Sequence, residues 1–518
     1  MSDPISTAWD TISKLPQPTL TELFAADPDR VAKLSQRLEA SLGELDKLDI
    51  LFDWSKTHLD DAVLGELETL AEAQDFAGQR AALFDGGIVN VTEGRAATHG
   101  AMRGSGTEAD VEEAEALTAR MGMLVEAIHQ GALGEVNHLI HIGIGGSALG
   151  PALAVDALGR DLTPVDVHVV SNIDGLALEQ AFAACDPATT LIAIASKTFT
   201  TTETMTNATS ALKWLADNGV GDPSGRVVAL TANPEKAVEW GVDETRILPF
   251  PESVGGRYSL WSSIGFPVAI AVGMDDFQAM LAGAQAIDTH FREAEGRANL
   301  PLLAAFADQY YTRARGCQTR AVFAYDERLG LLPDYLQQLE MESNGKRVTT
   351  HGEPVGYPTA AVTWGGVGTD AQHAVFQLLH QGTHLIPVDF IASIAPGDEL
   401  DPAHHKSLLI NCFAQGAALM AGGNMSADGP NGKDAPARAF PGNRPSAMIL
   451  VDDLDAAALG ALIAFHEHRT FANAVLMGIN PFDQFGVELG KKMAKDIDAG
   501  EGEFDASTKA LMEAARMV

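Results

Sequence analysis

A carboxylate close to a predicted helix end is the first residue in this chain that could do chemistry. In the segment YLQQLEMESNGKRV (335–348), helical spacing puts Glu342 and Gln338 on the stripe that should face the core, whereas Glu340 should point the opposite way. The Asn-Gly pair after Glu342 predicts that the helix stops there and leaves this carboxylate at an open edge. Glu342 is therefore either a mistaken assignment, a capped structural residue or a catalytic base.

The loop SKTFTTTET (196–204), which follows an apolar segment, carries the donors that a phosphate monoester needs. It has six hydroxyl side chains and one lysine in nine residues, at the start of a predicted helix. An ordinary helix N-cap needs only one hydroxyl, so the composition favours phosphate binding. No GxxxxGK(S/T) motif occurs, and a nucleoside triphosphate is not implied. The candidate donors are Ser196, Lys197, Thr198 and Thr201.

A glycine-rich loop, GIGGSALGP (143–151), also follows an apolar segment. Its glycines fit a loose dinucleotide-binding pattern, but the next predicted strand ends in Ser171 and Asn172, without the acidic residue that would bind a ribose. The loop suits instead a small polyhydroxylated or phosphorylated ligand, held by backbone N–H groups and by the Ser147 hydroxyl.

Three further segments carry candidate groups. In ESVGGRYSLWSSIG (252–265), two glycines permit a close backbone approach, and Arg257 can stabilise a developing oxyanion or simply pair with a surface acid. His373 lies on a predicted helix, where an isolated histidine is more often structural than catalytic. Gln484 and Lys491 recur at helical spacing, which an amphipathic surface helix also explains.

The composition excludes several classes of partner. The chain has 518 residues, with 35 lysines and arginines against 70 aspartates and glutamates, and a formal net charge of −35. A chain so acidic is a poor partner for nucleic acid or for an anionic membrane, so an anionic metabolite must be bound by local donors. No signal peptide and no membrane span is predicted.

The potential metal ligands do not form a recognisable motif. The three cysteines are widely spaced without a CxxC pair, which predicts reduced thiols, a cytoplasmic location and no metal site. His466 and His468, like the adjacent His404 and His405, are expected at solvated helix ends, because their spacing puts them on different helix faces.

The elements that must position these residues follow an α/β order. Residues 1–114 are predicted to form an N-terminal helical region, and 115–290 alternate short apolar segments with helices, which is typical of a parallel sheet covered on both faces. The alternation restarts in 291–498, where 421–446 is predicted to be a long surface loop, and a C-terminal helix occupies 499–518. The fold class is therefore α/β, with two doubly wound parallel-sheet domains and a helical region at each end. The predicted strands are 138–142, 166–171, 191–196, 226–230, 320–325, 386–392 and 447–451.

Taken together, the motifs resemble the phosphoglucose isomerase family, whose members are built from two sugar isomerase (SIS) domains. The motifs are GIGGSxLGP, SKTFTTxET, ESVGGRYSLWSSIG, YLQQLxMESNGK, QHAxxQLxHQGT and FDQxGVELGK, in family order within residues 90–491. The resemblance implies SIS-type domains and a cofactor-free isomerisation of glucose 6-phosphate to fructose 6-phosphate, a step of glycolysis and gluconeogenesis. Two alternatives stay open: a related isomerase acting on mannose 6-phosphate or on both epimers, and a non-catalytic sugar-phosphate sensor.

The resemblance also implies a role for each candidate. Glu342 would carry a proton between the first two sugar carbons through a cis-enediol(ate), and Arg257 would stabilise the enediolate charge. His373 and Lys491 would handle ring opening, with His373 reaching the active site of the other subunit of a homodimer. The hydroxyl-rich loop would hold the phosphate. The sugar site would be lined by Gly146, Ser147, Gly256, Gln338 and Gln484.

Overall fold

A computed structural model describes residues 4–43, 47–160, 163–424 and 436–517 of the chain, which divides into two units, Met1–Pro481 and Phe482–Val518. Within the described residues no helix has the length and apolar character needed to cross a membrane. The strands of the first unit are β1 (Ser35–Ser41), β2 (Lys47–Asp53), β3 (His138–Ile142), β4 (Asp166–Val170), β5 (Thr190–Ala195), β6 (Val227–Thr231), β7 (Ile247–Pro249), β8 (Thr319–Tyr325), β9 (Val362–Val367), β10 (Val388–Ser393), β11 (Gly423–Asn424), β12 (Ala439–Phe440) and β13 (Ser446–Val451).

Helices make up most of the remaining regular structure. Those of the first unit are α1 (Pro4–Ile12), α2 (Leu20–Ala26), α3 (Arg30–Leu34), α4 (Asp61–Ala73), α5 (Phe76–Phe84), α6 (Glu108–His129), α7 (Leu149–Leu158), α8 (Gly175–Ala184), α9 (Thr202–Asp217), α10 (Pro234–Trp240), α11 (Phe266–Val272), α12 (Met274–Glu293), α13 (Leu300–Gln309), α14 (Leu332–Leu336), α15 (Asp370–Ala374), α16 (Phe376–Gln381), α17 (Ala403–Ala421) and α18 (Ala456–Met477). The second unit contains α19 (Glu488–Asp498) and α20 (Ala506–Ala514), the latter within the predicted C-terminal helix.

The first sheet is entirely parallel, with the strand order β4-β3-β5-β6-β7. Every residue of β5 and β6 is buried, as expected for Val-, Ile- and Ala-rich strands that are covered on both faces. One face of the sheet packs with α8 and α9 in a single apolar cluster. The four strands predicted in this part of the sequence are confirmed to within one residue at each end. β7 is an additional short strand that the sequence pattern does not predict.

The second sheet combines parallel strands with an antiparallel hairpin. Its order is β1-β2-β13-β10-β8-β9, in which β13, β10, β8 and β9 run parallel. The predicted strands 320–325, 386–392 and 447–451 are confirmed to within two residues at each end. The β1–β2 hairpin pairs with β13, so the N-terminal region supplies two strands to this sheet besides its helices. The predicted surface loop 421–446 lies partly outside the described residues, which omit 425–435.

Helix α18 is buried along its whole length and crosses α12 at two glycines. A Cβ added at Gly283 of α12 would lie 1.9 Å from the Ala457 carbonyl oxygen, and one added at Gly460 would lie 1.9 Å from that of Met280. The two backbones approach so closely that no larger side chain fits at either crossing position.

The buried helix α18 carries charged side chains that the sequence analysis placed at a solvated helix end. Glu467 accepts a hydrogen bond from Arg103 at 2.5 Å, and His468 lies 2.5 Å from Asp288. His466 is also fully buried. The interpretation is wrong for this helix because Arg103 and Asp288, from distant parts of the sequence, pair with Glu467 and His468 inside the protein.

Replacing Gly460 by alanine is expected to destabilise the chain, because the new Cβ would overlap the backbone of α12. We expect a loss of about 1–3 kcal/mol, as for other overpacked core positions, and therefore a lower midpoint of thermal unfolding. The matched control is Gly65→Ala on α4, where an added Cβ would meet no described atom within 4 Å and alanine is favoured in a helix by about 0.5–1 kcal/mol. Equal midpoints for the two variants in differential scanning fluorimetry would contradict the close helix crossing.

Candidate active site

Most candidate residues of the first unit gather at the carboxyl edge of the first sheet, and His373 is the exception. The turn Gly145–Ser147 follows β3, the hydroxyl-rich loop follows β5, and the 3-10 helix Gly256–Trp261 follows β7. This is the edge at which open parallel sheets bind their ligands. The π-helix Gln337–Glu342, between β8 and β9 in the sequence, reaches the same place, because Glu342 bonds to Arg257.

Glu342 has a hydrogen-bond donor on each carboxylate oxygen. Oε1 accepts from Arg257 Nη1 at 3.1 Å, and Oε2 accepts from Gln338 Nε2 at 2.8 Å. The side chain of Glu342 is 22% exposed, whereas that of Arg257 is 1% exposed. The site therefore places a desolvated cation beside a carboxylate that a ligand can still reach from solvent. Such a pair suits proton abstraction next to a carbonyl group.

Arg257 is held in place by contacts on its other nitrogens. Nε donates to Ser343 Oγ at 2.7 Å, and Nη2 donates to the Pro481 carbonyl oxygen. The Ser343 hydroxyl also lies 2.9 Å from the Tyr258 hydroxyl. These contacts fix the guanidinium group, so its charge is in place before any ligand arrives. Neither Ser343 nor Tyr258 was predicted to support Arg257. Their positions could have indicated such a role, because each directly follows a candidate catalytic residue in the sequence.

Glu340 is also buried, contrary to the prediction that Glu342 alone faces inward. Its carboxylate pairs with Arg320 and accepts from Thr363 Oγ1 at 2.6 Å, and its side chain is 13% exposed. The prediction is wrong because Gln337–Glu342 form a π-helix, whose wider turn does not follow the 3.6-residue period of an α-helical wheel. The two carboxylates have different partners: Glu342 contacts the arginine loop of the first sheet, and Glu340 contacts β8 and β9.

Two glycine-containing loops meet beside Glu342 and Arg257. A Cβ added at Gly146 would lie 2.2 Å from the Gly256 backbone, so this approach requires glycine. Gly145 has a φ of +58°, and a Cβ added there would lie 3.0 Å from Gln338 Nε2. A Cβ added at Gly256 would meet no described atom within 4 Å, which indicates open space on that side. Ser147 is half-buried in the same turn.

The hydroxyl-rich loop ends at the N-terminus of α9. Thr201 is the N-cap residue, but its side chain does not cap the helix and lies instead 3.1 Å from Ser196 Oγ. The hydroxyls of Thr198 and Thr200 lie 2.8 Å apart. Hydroxyl groups at the positive end of a 16-residue helix suit an anion that has several acceptor oxygens.

The Lys197 side chain joins this loop to the segment that precedes Arg257. Its Nζ donates to the carbonyl oxygens of Glu252 at 2.6 Å and Val254 at 3.1 Å. Burial, together with the nearby Arg95, lowers the pKa of Lys197 to about 8. The ammonium group is thus directed to two backbone carbonyls, and its predicted contact with a phosphate stays a prediction.

The remaining predicted residues lie elsewhere in the chain. His373 lies on α15 and is exposed, and it is not among the described partners of Glu342. Gln484 precedes the 3-10 turn Phe485–Val487, and Lys491 lies on α19, both exposed in the second unit. The roles of all three stay predictions.

Several known proteins are similar to this chain along most of its length. A family model described as phosphoglucose isomerase matches residues 53–512. The glucose-6-phosphate isomerase of Erythrobacter litoralis is 76% identical over 518 residues, 99% of this chain and 99% of that protein. That of Zymomonas mobilis is 59% identical over 513 residues, 99% of this chain and 98% of that protein. A crystal structure of a glucose-6-phosphate isomerase from Chlamydia trachomatis matches with a TM-score of 0.87 and 28% identity, and covers 100% of this chain and 99% of that chain.

These matches confirm both the family predicted from the six motifs and the α/β fold class. The family match extends over most of the sequence, and the relatives are similar along the full length of the chain. The chain therefore belongs to the phosphoglucose isomerase family.

Proposed function

We propose that this chain catalyses the reversible isomerisation of glucose 6-phosphate to fructose 6-phosphate. The observation that carries the proposal is the partly exposed Glu342 carboxylate, which accepts hydrogen bonds from the buried Arg257 and from Gln338. The relatives named glucose-6-phosphate isomerase support the same reaction. A base and a fixed cation have no purpose in a sensor that only binds sugar phosphates.

The hydroxyl-rich loop would hold the phosphate group. Ser196, Thr198 and Thr201 supply hydroxyls at the N-terminus of α9, and the backbone of the loop supplies N–H groups. Anchoring the phosphate holds the carbon chain of the sugar near Glu342, which removes most of the entropic cost of bringing base and substrate together. Because the chain has a net charge of −35, the attraction between the phosphate and the protein must come from local donors.

Glu342 would carry the proton between the two carbon atoms. The carboxylate removes the proton from C2 of the open-chain aldose, and the electron pair moves onto the carbonyl oxygen to give a cis-enediolate. Arg257, already 3.1 Å from Oε1, stabilises the negative charge on that oxygen. The proton of the C2 hydroxyl group passes to the C1 oxygen, and return of the carbon-bound proton from Glu342 to C1 then gives the ketose. Gln338 keeps the carboxylate in position throughout.

Ring opening would require His373 and Lys491, and we assign His373 to the neighbouring copy in a homodimer. Its exposed position on α15 supports this assignment, because the side chain is available to a second copy. Gln484 would line the sugar site together with Gly146, Ser147 and Gly256.

The three cysteines form no disulfide, which supports a reducing, cytoplasmic location.

Exchanging the two carboxylates of the π-helix for amides tests the identity of the base. Glu342→Gln is expected to lower turnover by about three orders of magnitude or more, because the amide cannot accept the proton, while the midpoint of thermal unfolding stays close to that of the wild type. Glu340→Gln, the matched variant two residues away, is expected to lower the midpoint and to retain turnover, because Glu340 bonds to Arg320 and Thr363.

The reaction is followed by NMR in deuterium oxide, starting from fructose 6-phosphate. Wild-type enzyme is expected to incorporate deuterium at the transferred position, and Glu342→Gln is expected not to. Turnover of Glu342→Gln within tenfold of the wild type would exclude Glu342 as the base. A parallel incubation with mannose 6-phosphate distinguishes the two isomerase activities. Comparable rates on glucose 6-phosphate and mannose 6-phosphate would show that the enzyme acts on both epimers and not on glucose 6-phosphate alone.

Substrate affinity is expected to fall as the pH rises above about 8. The pKa of Lys197 in the unliganded protein is about 8, and a bound phosphate dianion would raise it, so substrate binds better to the protonated form. The Michaelis constant should then rise by up to about tenfold per pH unit, and Lys197→Met should abolish this dependence. Lys213→Met, which removes an exposed lysine of α9, is the control. If the Michaelis constant of Lys197→Met showed the same pH dependence as that of the wild type, protonation of Lys197 would not be linked to substrate binding.

Mixed dimers test whether active sites are shared. Glu342→Gln and His373→Ala are each expected to be nearly inactive, but random co-assembly should restore about a quarter of the wild-type activity, because half of the dimers are mixed and each has one intact site. If Glu342 and His373 act within one chain, the mixed dimers have no intact site and activity is not restored. Size-exclusion chromatography with light scattering supplies the oligomeric state.

A further inference from the structure

Three potential metal ligands meet at the amino edge of the first sheet, at the opposite end of the strands from the substrate loops. They are His138 at the start of β3, His168 within β4, and Cys185 directly after α8. Each offers one ligand atom, and the three atoms all lie within 4.8 Å of one another. The proposed isomerase mechanism uses none of them.

The register of the sheet explains why residues so distant in sequence come together. β3 and β4 are parallel, with His138 opposite Asp166, so that His168 lies one pleat further along on the same face. Ile140, two residues after His138, packs in the same apolar cluster as Cys185, which shows that α8 covers this face. Since α8 leads from the end of β4 back to the start of β5, its last turn delivers Cys185 to the two histidines.

The two imidazoles have ring nitrogens available for a ligand. Nδ1 of His138 and Nε2 of His168 are buried, and neither forms a hydrogen bond to any part of the chain that the structure describes. A buried polar atom without a partner is costly, and coordination of a metal ion would remove that cost. Burial, together with the neighbouring His138, lowers the pKa of His168, which favours the neutral imidazole that metal ions bind.

Cys185 supplies the third donor. Its thiol is buried and forms no disulfide, and burial raises its pKa to about 11, so without a metal ion it stays protonated at neutral pH. Coordination breaks the S–H bond, forms a metal–sulfur bond and releases the proton to solvent. The reaction therefore needs no oxidant or other co-reactant.

We propose that His138, His168 and Cys185 form a binding site for one zinc-class divalent ion. Two imidazole nitrogens and one thiolate are a donor set that Zn²⁺ and Co²⁺ accept in tetrahedral geometry. Donors in such a site lie about 3.3–3.8 Å apart, so the ligand atoms, which lie within 4.8 Å of one another, must approach by about 1.5 Å at most through side-chain rotations. Asp166, whose Oδ2 lies 3.9 Å from His138 Nδ1 and whose side chain is 68% exposed, can turn in as the fourth ligand, or water can fill that position. The proposal differs from the expectation of no metal site that the cysteine spacing gave.

The role of the ion is structural. It links the starts of β3 and β4 to the end of α8, whereas Arg257 and Glu342 lie at the carboxyl edge of the same sheet. Binding to the native state alone raises stability in proportion to the logarithm of the free ion concentration. The proposal is independent of the isomerase reaction and of its base.

Cobalt titration of the full-length chain, after removal of metal with a chelator and dialysis, tests the site. We expect one equivalent per chain, with the visible bands of tetrahedral cobalt and a near-ultraviolet thiolate-to-cobalt band, and we expect Zn²⁺ to displace it. Zn²⁺ should raise the midpoint of thermal unfolding by several degrees. Cys185→Ser should remove the thiolate band, and His168→Gln should weaken binding at least tenfold. Cys317→Ser, which alters a buried thiol elsewhere in the chain, is the matched control and should bind as the wild type does.

Three results would overturn the proposal. They are the absence of a thiolate-to-cobalt band, the same band in Cys185→Ser as in the wild type, and an equal rise in the unfolding midpoint for wild type and His168→Gln. His168→Gln is the second variant because it alters a partly exposed side chain, and it keeps the test decisive if Cys185→Ser does not fold. With one equivalent of metal ion per chain, the isomerase activity of the wild type should stay within twofold of the activity without metal. A larger loss of activity that also occurs in Cys185→Ser would show that the ion binds at the catalytic groups instead.

Discussion

The ion pair between Arg257 and Glu342 joins the two sheets at the site, and the rest of the site is arranged around it. Arg257 follows the last strand of the first sheet, and Glu342 ends a π-helix between two strands of the second. The side chain of Ser343 and the backbone of Pro481 accept hydrogen bonds from Nε and Nη2 of the guanidinium group. The same contact thus positions a base and cation for chemistry and holds two distant parts of the sequence together.

The π-helix lets one short segment serve two different environments. Glu342 is directed to the site, while Glu340 enters a buried network in which Arg320 and Arg469 both pair with Asp389. An α-helix of the same length would rotate the two carboxylates differently, because its turn is tighter. π-turns are frequent at functional sites, and here the wider turn allows one carboxylate to stay partly exposed while its neighbour anchors the helix to β8 and β9.

Sequence patterns predicted what depends on local order and missed what depends on distant partners. Seven of the strands were predictable because runs such as LIAIAS (191–196) are apolar, short and bounded by turn residues. Glu342 and Arg257 could be named as candidates because each lies in a compact motif at the end of an element, and the structure brings the two side chains together; their catalytic roles stay predictions. The pairing of β2 with β13 could not be predicted in this way, because its partner strand lies almost 400 residues away. The buried charges of α18 and the carbonyl partners of Lys197 were missed for the same reason: neither periodicity nor composition indicates which distant group will neutralise a charge or accept a hydrogen bond.

The distribution of charge explains how so acidic a chain can hold an anionic ligand. Arg103, Arg320 and Arg469 are buried and paired with acids, so they contribute little positive charge to the surface. Lys197 is itself partly buried, and its pKa of about 8 means that its positive charge is easily lost. What the substrate loop offers is mainly neutral: hydroxyls, backbone N–H groups and the N-terminus of α9, whose effect is confined to the first turn. Such donors act only at contact distance, so under the proposed function the loop would attract a phosphate that has already entered the site and would leave the long-range field of the protein repulsive. Selectivity for a sugar phosphate would then rest on close fit, which is the condition under which Glu342 and Arg257, in their proposed roles, act on the correct pair of carbon atoms.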